Sequence, residues 1–148
     1  MFSQLTNQQF FWFISWCLMN YLFPFERLEV WNLSRKLCFD TYLIVSKFPI
    51  EEKFNLADQI RRAATSVSLN IAEGTSRLSF KEQARFTEMA YGSLLEVYSS
   101  LLLAKDHGYL EEETMSSVSQ LIKELSNKLN ALRSTQMKRF EAQTNTKQ

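Results

Sequence analysis

The segment from residue 56 to residue 74 carries two parallel rows of side chains, and this pattern constrains the fold more than any other feature of the chain. One row is apolar and recurs at steps of three and four residues, the spacing of one face of an α-helix. A second, polar row follows its own steps of four, four and three. The apolar row consists of Leu56, Ile60, Ala63, Ala64, Val67 and Ile71, and the polar row of Arg62, Ser66, Asn70 and Glu73.

The polar row indicates hydrogen bonding between helices. A surface helix needs no ordered polar row, and a core helix rarely tolerates polar side chains without partners. The third helical segment offers Ser93 and Glu96 beside Gly92, which would let two backbones approach closely. A carboxylate metal site is the alternative interpretation. We favour a structural polar network that sets the register of the two helices, formed by Arg62, Ser66, Asn70, Glu73, Ser93 and Glu96.

Glycine and proline are scarce in this chain of 148 residues, which contains only 3 Gly and 2 Pro. Long periodic segments with so few breaks favour helices over a many-stranded sheet. Helical patterns cover residues 26–47, 56–74, 79–107 and 111–135. Asn55 is the expected N-cap of the second segment, Ser79 and Glu82 form a capping box, and Gly74 and Gly108 are the expected stops.

Short connections between long helices predict an all-α fold, an antiparallel up-down-up-down four-helix bundle. We place the bundle at residues 25–137 and a polar tail at residues 138–148. The first and third segments each carry two apolar rows, which is more apolar surface than one neighbouring helix covers. In the first segment the rows are Trp31, Cys38, Tyr42 and Val45, and Val30, Leu33, Leu37 and Ile44. In the third they are Phe86, Ala90, Leu94, Val97, Leu101 and Ala104, and Ala84, Tyr91, Leu95, Tyr98 and Leu102. Self-association is the simplest way to bury the additional surface, so the pattern predicts a homo-oligomer.

Residue types that carry catalysis or bind metals are scarce. His107 is the single histidine, so no Glu-x-x-His metal motif exists. Cys17 and Cys38 form neither a disulfide framework nor a zinc-ligand spacing. The serines have no base partner that would activate them as nucleophiles. We therefore predict a protein that is not an enzyme and uses no cofactor and no metal.

Basic side chains recur at four-residue spacing where the second segment connects to the third. The net charge is only +1, so any basic surface must be local. Such a row can contact successive phosphates. The alternative is a solvated face of mixed charge, on which Glu82 and Glu88 neutralise Arg85. The candidate nucleic-acid-binding residues are Arg61, Arg62, Arg77, Lys81 and Arg85.

Residues 1–24 contain no charged side chain and include an apolar aromatic run at residues 10–19. A signal peptide would have Lys or Arg near its start and a small-residue cleavage site. A transmembrane helix needs about 20 apolar residues. This run is shorter, and Asn20 and Pro24 interrupt its continuation. We favour a third interpretation, an N-terminal extension produced by translation from a start upstream of Met19. The expected location is the cytoplasm, and a membrane is not an expected partner.

Several short motifs occur in order along the chain, at Phe25–Trp31, Arg61–Ala64, Asn70–Gly74 and Ala90–Leu94. Over residues 25 to 135 they resemble the bacterial 23S ribosomal RNA intervening-sequence proteins, a four-helix bundle family. The resemblance implies a ring-like homopentamer and an association with RNA. The chain is also similar to the accessory proteins of diversity-generating retroelements. That similarity implies the alternative function, a protein-interaction adaptor or scaffold that docks a partner such as a reverse transcriptase.

Overall fold

The computed structural model describes residues 22–146, and all regular secondary structure in this range is helical. The four α-helices are α1 (Glu29–Val45), α2 (Leu56–Thr75), α3 (Phe80–Asp106) and α4 (Glu112–Asn145). Short 3-10 helices at Pro24–Arg27 and Ile50–Phe54 precede α1 and α2. The predicted all-α fold with four helices is confirmed. The predictions for residues 1–21 lie outside the described residues, and the predicted domain boundaries stay predictions.

One hydrophobic core runs through the four helices. In α2 the predicted apolar row supplies it, since Ile60, Ala64 and Val67 are fully buried. The largest completely buried side chains of the other helices are Leu37, Leu94, Leu101, Leu125 and Leu129. Each such leucine stabilises the fold by about 1.5–3 kcal/mol relative to an exposed position.

Each helix contacts two of the other three. α2 packs against α1 and α3, and α4 packs against α3 and α1, whereas α1 and α3 do not contact each other. Between α1 and α2, Cys38 Sγ lies 3.7 Å from Thr65 Oγ1. Between α2 and α3, the Ser66 and Ser93 hydroxyls lie 2.9 Å apart. These contacts fix which residues of neighbouring helices lie at the same height.

The helix N-termini differ from the predicted caps. Asn55 and Ser79 occupy the N-cap positions, but neither side chain makes a capping hydrogen bond. Glu52 replaces Asn55, because its Oε2 accepts a hydrogen bond from the Leu56 backbone N–H at 3.1 Å. The predicted capping box is wrong, since the Glu82 carboxylate pairs with Arg85 instead of bonding back to the Ser79 backbone.

Two of the three glycines, Gly74 and Gly92, differ from what the sequence predicted. Gly108 follows α3 with φ +76°, as expected for a C-terminal stop. Gly74 lies inside α2, where a Cβ would stand 3.1 Å from the Phe86 Cβ, so its role is close approach between α2 and α3. Gly92 is exposed and has no atom within 4 Å of a Cβ position. The predicted close approach at Gly92 is therefore wrong.

α4 continues as a helix to Asn145, ten residues beyond the end of its apolar pattern. Its polar second half packs along α3, where Thr87 donates a hydrogen bond to Gln136 Oε1 at 2.9 Å. At its other end, Lys105 Nζ lies 2.6 Å from Glu112 Oε2, and this hydrogen bond raises the pKa of Lys105 above its ordinary value. Across residues 22–146 no helix combines the length and apolar character needed to cross a membrane.

Candidate nucleic-acid interface

The six residues of the predicted polar network fall into three separate groups. Ser66 and Ser93 bond across α2 and α3, and Asn70 Nδ2 donates to the Ser66 carbonyl at 2.9 Å and to Ser66 Oγ at 3.0 Å. Arg62 and Glu96 do not contact each other directly. Gln59 lies between them and forms a hydrogen bond with each. Glu73 pairs with Arg77 four residues later. A continuous network along α2 is therefore not present.

The three groups differ in burial, and burial decides how much each contributes to the free energy of unfolding. Ser66, Asn70 and Ser93 are half-buried, whereas Arg62, Glu73 and Glu96 are exposed. Exposed ion pairs contribute roughly 0–1 kcal/mol, because water screens them and long side chains lose freedom in forming them. The serine pair with Asn70 is the part of the network that can set helix register.

Replacing Asn70 by alanine should lower the free energy of unfolding by about 1 kcal/mol. Two hydrogen bonds are lost at about 1 kcal/mol each, and the higher helix propensity of alanine offsets roughly 0.7 kcal/mol. Glu73→Ala is the comparison, and its effect should stay within about 0.5 kcal/mol. Urea denaturation of both variants checks the difference. An effect of Glu73→Ala as large as that of Asn70→Ala would contradict this division.

Arg61 and Arg62 lie in the first half of α2, away from the other predicted cations. Arg62 Nη1 lies 2.6 Å from Asp58 Oδ2, and the Arg61 guanidinium lies 5.9 Å from the centre of the Tyr42 ring. Arg77 comes fifteen residues after Arg62, which separates the two by about 22 Å along a helix axis. The five candidate residues therefore form two basic regions and not one row.

Phe86 organises the predicted cations where α2 connects to α3. Its ring is nearly buried, with 6% of the residue exposed. The Arg77 guanidinium lies 4.5 Å from the ring centre and that of Arg85 lies 5.2 Å from it. Both contacts are within the range of a cation–π interaction. Arg77 also pairs with Glu73, and Arg85 Nε lies 3.2 Å from Glu82 Oε2.

The second half of α4 adds cations that the sequence reasoning missed. Arg139 lies over the Phe80 ring at 5.6 Å, and Lys81 lies 5.9 Å from the centre of the Phe140 ring. In the first contact the cation belongs to α4 and the ring to α3, and in the second the cation belongs to α3 and the ring to α4. They also bring Lys138, which is exposed, to the same end of the molecule. The available signal was Phe140, which comes eight residues after Leu132 and so continues the helical spacing of α4 into its polar half, with Lys138 and Arg139 directly before it.

We call this region the basic end and define it as Arg77, Lys81, Arg85, Lys138 and Arg139. Glu73 and Glu82 partly neutralise two of its members. Of the residues that the structure describes, none places a carboxylate within ion-pairing distance of Lys81, Lys138 or Arg139. Their charge is therefore available to an anionic ligand. The half-buried rings of Phe140 and Phe80 hold Lys81 and Arg139 in place.

Residues 22–146 contain no group of three or more His, Cys, Asp and Glu side chains placed to hold a metal ion. His107 stacks on Tyr109, with ring centres 5.6 Å apart, at the end of α3. Cys38 is half-buried and near Thr65.

The fold and the basic end define a helical protein with a cluster of cationic side chains at one end. Residues 26–131 match the sequence profile of the 23S rRNA-intervening sequence proteins, and the chain belongs to this family. No curated protein matches the chain. A crystal structure of a protein of unknown function from the S23 ribosomal protein family of Bacteroides thetaiotaomicron superposes with a TM-score of 0.64 at 20% identity. The match covers 70% of this chain and 97% of that one, and at this identity it shows the fold alone.

Proposed function

We propose that this chain is a self-associating four-helix bundle protein, without enzymatic activity, that binds structured RNA through its basic end. The observation that carries the proposal is the set of three cations on α3 and α4 without a carboxylate partner, namely Lys81, Lys138 and Arg139. Membership of a family described by 23S rRNA intervening sequences supports RNA as the polyanion. The place of action in this proposal is the cytoplasm.

The basic end suits a phosphate backbone for physical reasons. A cation that neutralises a phosphate releases a condensed counterion, so binding becomes favourable and depends on salt. Lys81 and Arg139 lie near aromatic rings, which limits the side-chain freedom that binding would otherwise remove. Arg61 and Arg62 lie too far along α2 to belong to the same contact, and Arg62 is already paired with Asp58.

The proposal also includes the direction of the four helices and the assembly of several copies. An up-down-up-down antiparallel arrangement is supported by contacts whose residue numbers rise along α2 while they fall along α3: Gln59 with Glu96, Ser66 with Ser93, and Gly74 with Phe86. The family resemblance adds a ring of five copies. Such a ring would present the basic end several times, and linked weak contacts raise the overall affinity without any new contact.

Reversing two charges of the basic end tests the RNA proposal. The variant Lys81→Glu/Arg139→Glu should lower the affinity for a labelled RNA hairpin at least about tenfold, because two phosphate contacts are lost and two carboxylates repel the backbone. The slope of log affinity against log salt should become shallower by about 1.4–1.8 for two lost contacts. Fluorescence anisotropy over a salt series measures both quantities.

The matched control is Lys53→Glu/Lys123→Glu, which makes the same change in net charge at two exposed lysines outside the basic end. It should keep the affinity within about threefold, since the remaining effect is long-range and screened by salt. Circular dichroism verifies that both variants keep their helices. Equal losses in the two variants would mean that RNA responds only to net charge, and the basic end would not be the binding surface.

The adaptor function is the second candidate, and exposed apolar side chains favour it. Ile50 and Phe54, in the connection between α1 and α2, are 72% and 85% exposed. Apolar side chains of this kind can anchor a protein partner. If the wild-type protein does not bind the RNA hairpin at low salt, the RNA proposal fails and the adaptor becomes the better candidate.

A further inference from the structure

The outward side of α1 carries apolar side chains that the rest of residues 22–146 leaves uncovered. Phe39, Tyr42 and Leu43 are 65%, 46% and 53% exposed. The half-buried Trp31 comes eleven residues before Tyr42, which is about three helical turns and so places it on the same side. We call these four residues the α1 stripe, which is about 18 Å long. A continuous apolar surface of this kind marks a place that another segment or molecule covers.

The described chain begins beside the start of the α1 stripe. Leu22 is its first residue and is 48% exposed. The next two aromatic side chains lead onto α1, because the Phe23 ring stacks on the Phe25 ring with centres 5.8 Å apart, and Phe25 contacts Trp31 edge-on at 4.8 Å. Residues 1–21 are therefore attached at the Trp31 end of the stripe.

Residues 10–19 match the α1 stripe in chemistry and in length. They contain several aromatic side chains and no charged one. Residues 20 and 21 connect them to Leu22, and a connection of three residues reaches at most about 10 Å. A run of ten residues is about 15 Å long as a helix and up to about 35 Å long when extended. Either conformation can cover most of the stripe.

The charged groups around the α1 stripe do not oppose an uncharged segment. The guanidinium groups of Arg35 and Arg61 already lie over the rings of Trp31 and Tyr42, at 4.9 and 5.9 Å. Long charged side chains can keep their ends in water while apolar surface beside them is covered. Docking of an uncharged segment therefore depends on apolar contact and not on the sign of these neighbours. The other charged side chains near the stripe have both signs: Lys36, Asp40, Lys47, Asp58, Arg62, Glu111 and Glu113.

Attachment to the same chain favours residues 10–19 over any separate molecule as the occupant of the α1 stripe. A segment held by a short connection has an effective concentration of about a millimolar at a site within its reach. Apolar contact is also non-directional, so it requires matching apolar area more than particular pairs of atoms. A separate partner at a lower concentration would have to bind the stripe correspondingly more tightly.

We propose that residues 10–19 dock on the α1 stripe of their own chain and cover its exposed apolar side chains. This inference is independent of RNA binding through the basic end. It makes the α1 stripe of each copy unavailable to other proteins, whereas the exposed Leu95 and Leu102 on the outward side of α3 stay accessible. The occupant is thus a segment of this chain and not a partner.

Chymotrypsin digestion of the full chain tests the docking, because the protease cleaves after aromatic side chains and acts on the undocked population of the segment. Phe39→Glu/Leu43→Glu places two charges in the α1 stripe. It should raise the initial rate of cleavage within residues 10–19 at least about tenfold, since the undocked population grows. Mass spectrometry of the products measures the rate at each site. Both replaced side chains are exposed, so the variant should keep its helices, as circular dichroism can verify.

The matched control is Leu95→Glu/Leu102→Glu, which makes the same change at two exposed leucines of α3, a helix that does not contact α1. It should keep the cleavage rate within about twofold of the wild type, because the docked population is unchanged. A stripe variant that is cleaved no faster than the wild type would overturn the inference. An equal increase in both variants would also overturn it, since the segment would then respond to charge at either surface.

A second measurement identifies the chain on which the segment docks. In a Cys38→Ser background Cys17 is the remaining native cysteine, and Arg35→Cys adds a thiol one turn after Trp31. A short bismaleimide should link the two thiols within one chain, so that the denatured product keeps the mass of a single copy. The contacts of Cys38 with Thr65 and of Ser66 with Ser93 place Met89 of α3 at a height similar to that of Arg35.

Met89→Cys in the same background is therefore the matched position, and it should link to Cys17 at least about tenfold more slowly because its effective concentration is lower. A product of twice the mass would show that the segment docks on another copy. Equal rates at the two positions, or no link to the thiol at position 35, would place the segment elsewhere. Each of these results overturns the inference and leaves the RNA proposal standing.

Discussion

Leu101→Ala should lower the free energy of unfolding by about 3–4 kcal/mol, within the range of roughly 2.7–5 kcal/mol for leucines truncated in a rigid core. Leu101 lies in the middle of α3 and is completely buried. The substitution removes buried methyl groups and leaves a cavity, because four packed helices can close it only in part. For a protein of this size the melting temperature should fall by roughly 10 °C.

Urea denaturation and thermal melting measure the effect, at one fixed protein concentration because assembly would stabilise the folded state by mass action. Leu69→Ala is the matched control, since Leu69 is 62% exposed. Its effect should stay within about 0.5 kcal/mol. Similar losses at the two positions would show that Leu101 is less completely packed than its burial indicates.

The core was predictable because it depends only on periodicity. Predicting the apolar row of α2 needed only the assumption of 3.6 residues per helical turn. That assumption placed Ile60, Val67 and Ile71 in the core, where they are buried. The extent of α4 was not predictable in this way. Its last ten residues have no apolar row, and Thr87 and Gln136 bond across helices at positions that no periodicity connects.

The candidate interface was predictable in part, for a related reason. Spacing along one helix correctly grouped Lys81 with Arg85, but it cannot show that Arg139 of another helix lies over Phe80. The same spacing argument placed Arg62 with these cations, although Arg62 forms an ion pair with Asp58 one turn away. A row of like charges predicts a surface only when the neighbouring carboxylates and the facing helix are known.

The outward apolar residues illustrate the same limit. Two apolar rows on α1 and α3 correctly suggested more apolar surface than one neighbour covers, yet Phe39 and Leu43 belonged to neither row predicted for α1. Tyr91 and Tyr98, which did belong to a predicted row of α3, are half-buried against the core instead. Which row faces outward depends on the positions of the other helices, and the apolar pattern of one helix gives no information about those positions.

Gly74→Val should lower the free energy of unfolding by about 2–3 kcal/mol, the upper part of the roughly 1–3 kcal/mol that overpacking a close contact usually costs. A Cβ at this position would stand 3.1 Å from the Phe86 Cβ, and the two methyl groups of valine would extend further into the α2–α3 contact. The Phe86 Cβ is attached directly to the α3 backbone, so it cannot move aside as the end of a long side chain could. The helices must separate instead.

Gly74→Ala separates this steric effect from helix propensity. Alanine adds only the Cβ and raises helix propensity by about 1 kcal/mol, which should offset most of the strain at 3.1 Å. The valine variant should also weaken RNA binding at low salt, because shifting Phe86 moves the ring on which Arg77 and Arg85 lie. Denaturation and anisotropy on the two variants measure both effects. A valine variant as stable as the alanine variant would show that α2 and α3 can separate here without loss, and that Gly74 does not hold the basic end together.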